Sequence, residues 1–306
     1  MATVKLKQSS KAGNAAFNII NYFVFSLFTL LCIYPFYYLI INTISANDMS
    51  ANGFINFIPE KIHFNNYVEV IKLKGLANAA MISILRTLVG TLLTVATSAF
   101  LGFMFTQKKM WKRKLWYRFL IITMYFNAGL IPVFITMHIL GLTNNFLVYI
   151  IPAIVQPFFI ILVKTYLESV PESLQEAAVI DGAGIMRIFI QIMLPVSLPI
   201  LATVAIFSAV GQWNSFYDTL IYVTNQKLWS LQYVLYTYIN QSNALAQLIR
   251  NSSTMSSAAM ASLATKQTST SVRMTVSVIV VLPIILIYPM FQRYFIKGIM
   301  IGSIKG

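Results

Sequence analysis

A few polar side chains are stranded inside long apolar runs: Arg86, Asn127, Gln156, Gln212, Trp213, Asn214 and Asp218. Polar groups are expensive in a membrane interior, so they tend to face a cavity or one another. The densest group is Gln212-Trp213-Asn214, with Tyr217 close behind. Amides donate and accept in pairs, and an aromatic face stacks on C–H groups. That mixture suits a sugar, whose hydroxyls form bidentate arrays and whose ring faces are apolar. Gln212, Trp213, Asn214, Tyr217, Asn127 and Gln156 are therefore the candidate substrate path. Two alternatives stand beside it: Trp213 as an interfacial aromatic, and Gln212 or Asn214 bonded to a neighbouring helix. Arg86 is expected to pair within the protein or with a partner subunit, and Asp218 is its candidate acid. Nothing supports an enzyme. No Ser-His-Asp set or working carboxylate pair is evident, and His63 and His138 stand alone as expected loop residues, with no metal-ligand spacing. No G-x-x-x-x-G-K-[ST] phosphate loop occurs, so ATP-driven work would need another subunit.

The elements that must position these residues are membrane spans. Of 306 residues, 58% are hydrophobic and only 10% charged, against about 25% charged in soluble domains. Several apolar runs exceed the ~18 residues of a transmembrane helix. The expectation is an all-α, polytopic protein of one domain, 1–306, with six spans: about 16–44, 78–105, 115–137, 145–166, 195–223 and 272–294. Pro35 breaks the first span on this reading, and Cys32, the single cysteine, is a small core residue without a disulfide. A basic tail (1–15) with Lys5, Lys7 and Lys11 precedes a run too long for a leader, so the first span is read as a retained anchor. Polar loops at 45–77 and 224–271 separate spans, the second with an amphipathic part (Leu228 to Tyr238) and a Ser/Thr/Ala-rich part from Ser252.

An even number of spans puts both termini on one side. That side carries 14 Lys and Arg, including the run Lys108 to Arg118, against 7 opposite, mostly in the long loops. The positive-inside rule makes the richer side cytoplasmic. The net charge of +14 is thus spread by topology rather than gathered on one face, which argues against nucleic acid.

The stretch from Pro171 to Pro199, PESLQEAAVIDGAGIMRIFIQIMLPVSLP, gathers acids, glycines and prolines between two apolar runs, on the cytoplasmic side. Ser173 and Glu176 have the spacing of a capping box, and Pro171 suits a helix start. Leu174, Ala177, Ala178 and Asp181 are expected on one side of a short helix that Gly182 or Gly184 ends. A second, Ile185 to Met193, should carry Ile185, Ile188, Phe189 and Ile192 on one face. Pro195 and Pro199 open the next span. Pattern alone leaves two readings: a hairpin that links spans, or a handle for another protein.

The spacing Glu176-Ala177-Ala178, three residues, Gly182, nine residues, Ile192-x-Leu194-Pro195 resembles the EAA signature of ABC-importer permeases. Asp181, Ala183 and Phe189 match its carbohydrate branch. Asn78 to Gly90, Gly129 to Pro132, Leu140-Gly141-Leu142, Gln212 to Phe216, Phe295 to Gly298 and Gly302 to Gly306 extend the resemblance over nearly the whole chain. They are similar to the polysaccharide and oligosaccharide, LplC-like branch. The resemblance implies a type I ABC importer permease fold in a bacterial plasma membrane. It makes the EAA loop, 167–194, a coupling helix that docks on a cytoplasmic ATPase. It implies a second permease, two ATPase subunits that bind ATP and Mg, an extracellular sugar-binding protein, an oligosaccharide cargo, and no cofactor in this chain. Permeases for a polyol, glycerol phosphate or peptide stay open as alternatives. An ATP-independent carrier also stays open, although no internal repeat or proton-relay acid favours it.

Overall fold

The structure, a computed structural model, describes residues 11–251 and 269–298. Lys5 and Lys7, the Ser/Thr/Ala-rich residues 252–268 and the Gly302 to Gly306 pattern lie outside the described residues. Every described element is helical. Contacts divide the chain into two compact units, Met1–Val70 with Ser242–Val278 and Ile71–Gln241 with Ile279–Gly306.

The first unit holds α1 (Lys11–Ile44), α2 (Asn47–Ala51) and most of α3 (Asn65–Ile71). α1 runs unbroken through Pro35, contrary to the expected break. In hydrocarbon the loss of one backbone bond is cheaper than exposing a whole broken turn. Cys32 is exposed on α1 rather than in a core. The end of α1 is fastened by buried, satisfied polar groups. Asn42 Nδ2 donates to Ile55 O at 3.2 Å, Ser50 Oγ to Asn42 Oδ1 at 2.8 Å, and Asn66 Nδ2 to Thr43 O at 2.9 Å. His63 is half-buried rather than solvated, and its enclosed Nδ1 has no hydrogen-bond partner.

The second unit is organised on α4 (Leu76–Thr106). Its buried residues include Ala79, Ser83, Arg86, Gly90, Thr94, Ser98 and Gly102, every third or fourth position. Small residues let helix backbones approach closely where no hydrophobic effect drives association. A short loop leads to α5 (Arg113–Tyr125) and α6 (Leu130–Ile139), then a 3-10 turn (Phe146–Tyr149), α7 (Ile151–Ile154) and α8 (Pro157–Glu168). The chain continues as α9 (Ser173–Ile180), α10 (Ile185–Ile188), a π turn (Phe189–Met193), α11 (Leu194–Val196), α12 (Leu198–Asn214) and α13 (Tyr217–Tyr222). α14 (Leu231–Asn251) and α15 (Ser269–Gly298) follow, of which Leu231–Gln241 and 279–298 belong to this unit and the rest to the first, and α15 has Pro283 and Pro289 inside.

Among the described residues three helices are long and apolar enough to cross a membrane alone, and three bent pairs qualify when each is counted as one span, which gives up to six. The third expected span is thus α5 and α6, bent by 115°. Gly129 takes φ 86° at that break, and Asn127 Oδ1 accepts its N–H at 2.9 Å. The fourth bends by 41° before Pro157, where Gln156 has φ −110° and ψ 104°. That is the extended region a pre-proline residue favours. The fifth joins Ile185–Val196 to Leu198–Asn214 with a bend of 77°, so its first arm lies mostly in the loop expected at 167–194 rather than in the span expected from 195, and a second break follows α12.

α4 packs against both α12 and α8. At Gly102 a Cβ would lie 2.8 Å from Val163 Cγ1 and 3.2 Å from the backbone N of Lys164. Gly102→Val is therefore expected to force α4 and α8 apart at a cost of about 1–3 kcal/mol. A lowered thermal midpoint of the purified chain in detergent would show it.

Candidate functional site

Two features carry the candidate residues: a cavity among the spans, and the helical loop between α8 and α12.

The cavity, about 410 Å³, is lined by Arg86, Tyr149, Gln156, Ser208, Gln212 and Asp218 among others. Ser208, Gln212 and Gly211 share one face of α12 by helical spacing, and Arg86 faces them from the buried stripe of α4. Arg86 is 2% exposed. Its Nε and Nη2 donate to Gln212 Oε1 at 3.1 and 3.0 Å, and its Nη1 donates to Ser215 O at 3.2 Å and Asp218 Oδ1 at 3.0 Å. Nη2 also bonds Asp218 Oδ2. The guanidinium carbon lies 4.3 Å from the centroid of the Tyr149 ring. Every side of the fork is thus occupied, as a buried arginine requires. Gln212 closes the circuit by donating Nε2 to Tyr149 O at 3.2 Å. The side chain of Gln212 fits only because position 90 is glycine: a Cβ there would lie 2.7 Å from Nε2.

Of the six candidate path residues, the cavity gathers Gln156 and Gln212. The others lie elsewhere. Trp213 is half-buried and donates Nε1 to Val280 O at 3.0 Å. Asn214 is exposed and accepts from Gln232 Nε2 at 3.1 Å. Tyr217 is half exposed, and Asn127 is exposed at the α5–α6 break. Gln212, bonded to Arg86 of α4, and Asn214, bonded to Gln232 of α14, thus have the interhelical bonds that the alternative reading named, while Trp213 bonds α15. The pairing of Arg86 with Asp218 is present as expected. Tyr149 and Ser208 were missed. Ser208 lies four residues before Gln212, so helical spacing could have found it; Tyr149 carries no such signal.

In the loop, the capping box does not form. Helix α9 starts at Ser173 after Glu172 with no side-chain cap bond. The first N–H groups go to backbone instead: Leu174 to Pro171 O at 3.3 Å, Gln175 and Glu176 to Glu172 O at 2.9 and 3.0 Å. Glu172 already has helical φ and ψ, so its carbonyl reaches the donors that Ser173 would have capped. The end is as expected. Gly182 takes φ +75°, and Gly182 N and Ala183 N donate to Val179 O at 3.0 Å and Ala178 O at 2.9 Å, which closes the helix with a left-handed glycine.

The motif residues divide between two sides. Ala178 is buried, and Ala183, Phe189 and Leu194 pack on the same core as Phe103 of α4 and Val163 of α8. The Phe189 ring centroid lies 5.1 Å from that of Phe103. Glu176, Ala177, Asp181, Gly182 and Pro195 are exposed. The expected single face of Leu174, Ala177, Ala178 and Asp181 therefore fails, since only Ala178 turns inward. Ile185 likewise leaves the face of Ile188, Phe189 and Ile192 and is 50% exposed. The second helix also runs past Met193 to Val196, because a π turn carries it on. The outer side keeps bare apolar side chains, with Ile180 85%, Val179 57% and Ile190 53% exposed.

A comparison with protein families matches residues 97–301 to the binding-protein-dependent transport system inner membrane component family. The chain belongs to that family. Among its curated relatives, Protein LplC of Bacillus subtilis (strain 168) is 30% identical over 307 residues, with 100% of each chain covered. The polygalacturonan/rhamnogalacturonan transport system permease protein YtcP of the same organism is 28% identical over 293 residues, 96% of this chain and 99% of the relative. A chain in the crystal structure of a bacterial ABC transporter that imports the acidic polysaccharide alginate superimposes with a TM-score of 0.81. It is 26% identical, with 95% of this permease and 100% of that chain covered. The permease thus has the all-α, six-span fold of an ABC importer, as its sequence resemblance implied.

Proposed function

We propose that this permease is one of two transmembrane subunits of an ATP-driven importer of oligosaccharides, with both termini in the cytoplasm. The observation that carries the coupling half is the split loop. Its inner residues, Ala178, Phe189 and Leu194, are fixed to the core that joins α4, α8 and α12, while its outer side leaves Val179, Ile180 and Ile190 bare to water. An exposed apolar patch at a membrane surface marks a docking site. Here the occupant would be one of two cytoplasmic ATPase subunits, which would hold ATP and Mg. A push on Glu176 to Gly182 then reaches the spans through packed side chains, and the two permeases rock to open the path alternately.

The cargo half rests on the cavity. Its amides, hydroxyls and aromatic rings offer sugar-binding groups, and Asp218 neutralises Arg86. The carbohydrate cargoes in the names of the relatives support the same class. Gln156 is the cavity amide with a side chain open to a substrate, so it is the first candidate contact, with Trp213, Asn214, Tyr217 and Asn127 further along the path. An extracellular binding protein would deliver the sugar.

The test is reconstitution in liposomes. With second permease, ATPases and binding protein, oligosaccharide should stimulate ATP hydrolysis and enter the lumen. Gln156→Ala should raise the half-saturating sugar concentration about tenfold, the loss of one good polar contact. Uptake by this chain alone, without ATP, would replace the importer reading with an independent carrier.

A further inference from the structure

Between α4 and α5 the chain reads Gln107-Lys108-Lys109-Met110-Trp111-Lys112-Arg113-Lys114, with Arg118 one turn on: six cations and no acid. They border a cavity of about 490 Å³ lined by Lys108, Lys112, Arg113, Lys114 and Arg118 with two apolar side chains. Compensation is sparse. Lys108 Nζ meets Glu172 at 2.8 Å, with both side chains exposed, and Arg113 Nη1 donates to Thr106 O at 2.9 Å. Lys112 Nζ lies 4.8 Å from the Trp111 ring centroid. The acid beside Lys114, Glu168, is held by Lys164 at 2.7 Å. Among the described residues no carboxylate pairs with Lys109, Lys112, Arg113, Lys114 or Arg118.

The arrangement is unfavourable as it stands. Lys112, Arg113 and Lys114 open α5, with no acid in its first turn, and cations at the positive end of a helix dipole repel it. An anion in the cavity removes that cost. Beside the cations, Trp111, Leu115, Trp116 and Phe119 are 69%, 57%, 45% and 58% exposed. A free anion answers the cations and leaves this apolar belt bare. A phosphodiester that carries acyl chains answers both. We propose that this cavity binds the phosphate headgroup of an anionic membrane lipid. The site rests on the cytoplasmic placement of the α4–α5 loop proposed above. It also adjoins the coupling loop, because Lys108 holds Glu172 and Gln107 Nε2 donates to Gln175 Oε1 at 3.1 Å. A bound headgroup therefore competes with Glu172 for Lys108 at the start of α9.

The test uses the full chain in mild detergent and native mass spectrometry. Phosphatidylglycerol, phosphatidylcholine with the same acyl chains, and inorganic phosphate are titrated separately. Wild type and K112R/K114R should retain phosphatidylglycerol with equal affinity. K112Q/K114Q should lose about 25-fold, at roughly fivefold per cation near an anionic surface. Phosphatidylcholine should bind all three weakly and alike. Equal retention of phosphatidylglycerol by K112Q/K114Q overturns the proposal. So does displacement of the lipid by inorganic phosphate at matching concentration, which would make the site one for a free anion. Unchanged lipid binding with loss of the co-purified ATPase would assign the cations to an acidic protein surface instead. The topology is read separately, by labelling a Lys109→Cys variant in a Cys32→Ser background with an impermeant thiol reagent. Labelling from outside intact cells would sink the cytoplasmic placement without touching the lipid titration.

Discussion

Gly182→Pro is expected to leave the chain inserted in the membrane and to reduce ATP hydrolysis by the assembled importer to its basal, sugar-independent rate. Gly182 sits at φ +75°, whereas proline is locked near −65°. Proline also removes the N–H that bonds Val179 O at 3.0 Å. It further disfavours the helical conformation of the preceding residue, and Asp181 has φ −73° and ψ 7°. The turn between α9 and α10 then cannot hold Ala178 and Phe189 in the core while presenting Ile180 outward. Gly182→Ala is the graded control. A Cβ there meets nothing within 4 Å, so its cost is backbone strain alone, about 1–2 kcal/mol, and partial coupling should survive. The readouts are sugar-stimulated hydrolysis in liposomes and the amount of ATPase retained on the permease. Normal stimulation in Gly182→Pro would remove this loop from the coupling path. Glu176→Lys should decouple as well, since it reverses an exposed charge next to the same patch without disturbing the turn.

The second large effect is on stability. Arg86→Met should cost about 3–5 kcal/mol, because Asp218 is left uncompensated in a largely buried site. Gln212 Oε1 loses both of its donors in the same step. Arg86→Met with Asp218→Leu should recover most of the loss, as a buried pair replaced by apolar groups is often near neutral. Recovery stays incomplete by about 1–3 kcal/mol for the stranded Gln212 carbonyl and Ser215 O. Thermal unfolding in detergent measures both variants. Equal instability of single and double variants would show that the uncompensated carboxylate is not the cause.

The network also shows why half of the substrate path looked different in sequence. Gln212, Trp213 and Asn214 are neighbours in the chain, but successive residues on a helix point about 100° apart. Gln212 therefore turns to Arg86, Trp213 to Val280 and Asn214 to Gln232. Residue type marked the region, and the direction of each side chain separated its members. The capping box failed for a related reason. Ser173 and Glu176 have the right spacing, but the backbone of Pro171 and Glu172 had already supplied the acceptors.

By itself the sequence determined six apolar spans, the polar loop among them and the sign of Arg86's partner. These follow from a hydrocarbon solvent, which forces each span to bond its own backbone and makes every interior charge seek its opposite. A glycine stop at Gly182 or Gly184 was legible too, and the structure chose Gly182, whose φ of +75° little else tolerates. Tertiary structure alone decided which side chains meet. Arg86 lies 126 residues from Gln212 and 132 from Asp218. Their contact depends on how deeply α4 and α12 approach at Gly90 and where the chain breaks at Ser215, and no local pattern contains that register. The same holds for the loop between α8 and α12. Its pattern left a linking hairpin and a handle both open, and only packing against Phe103 and Val163 divided it into a side fixed to the spans and a side left bare.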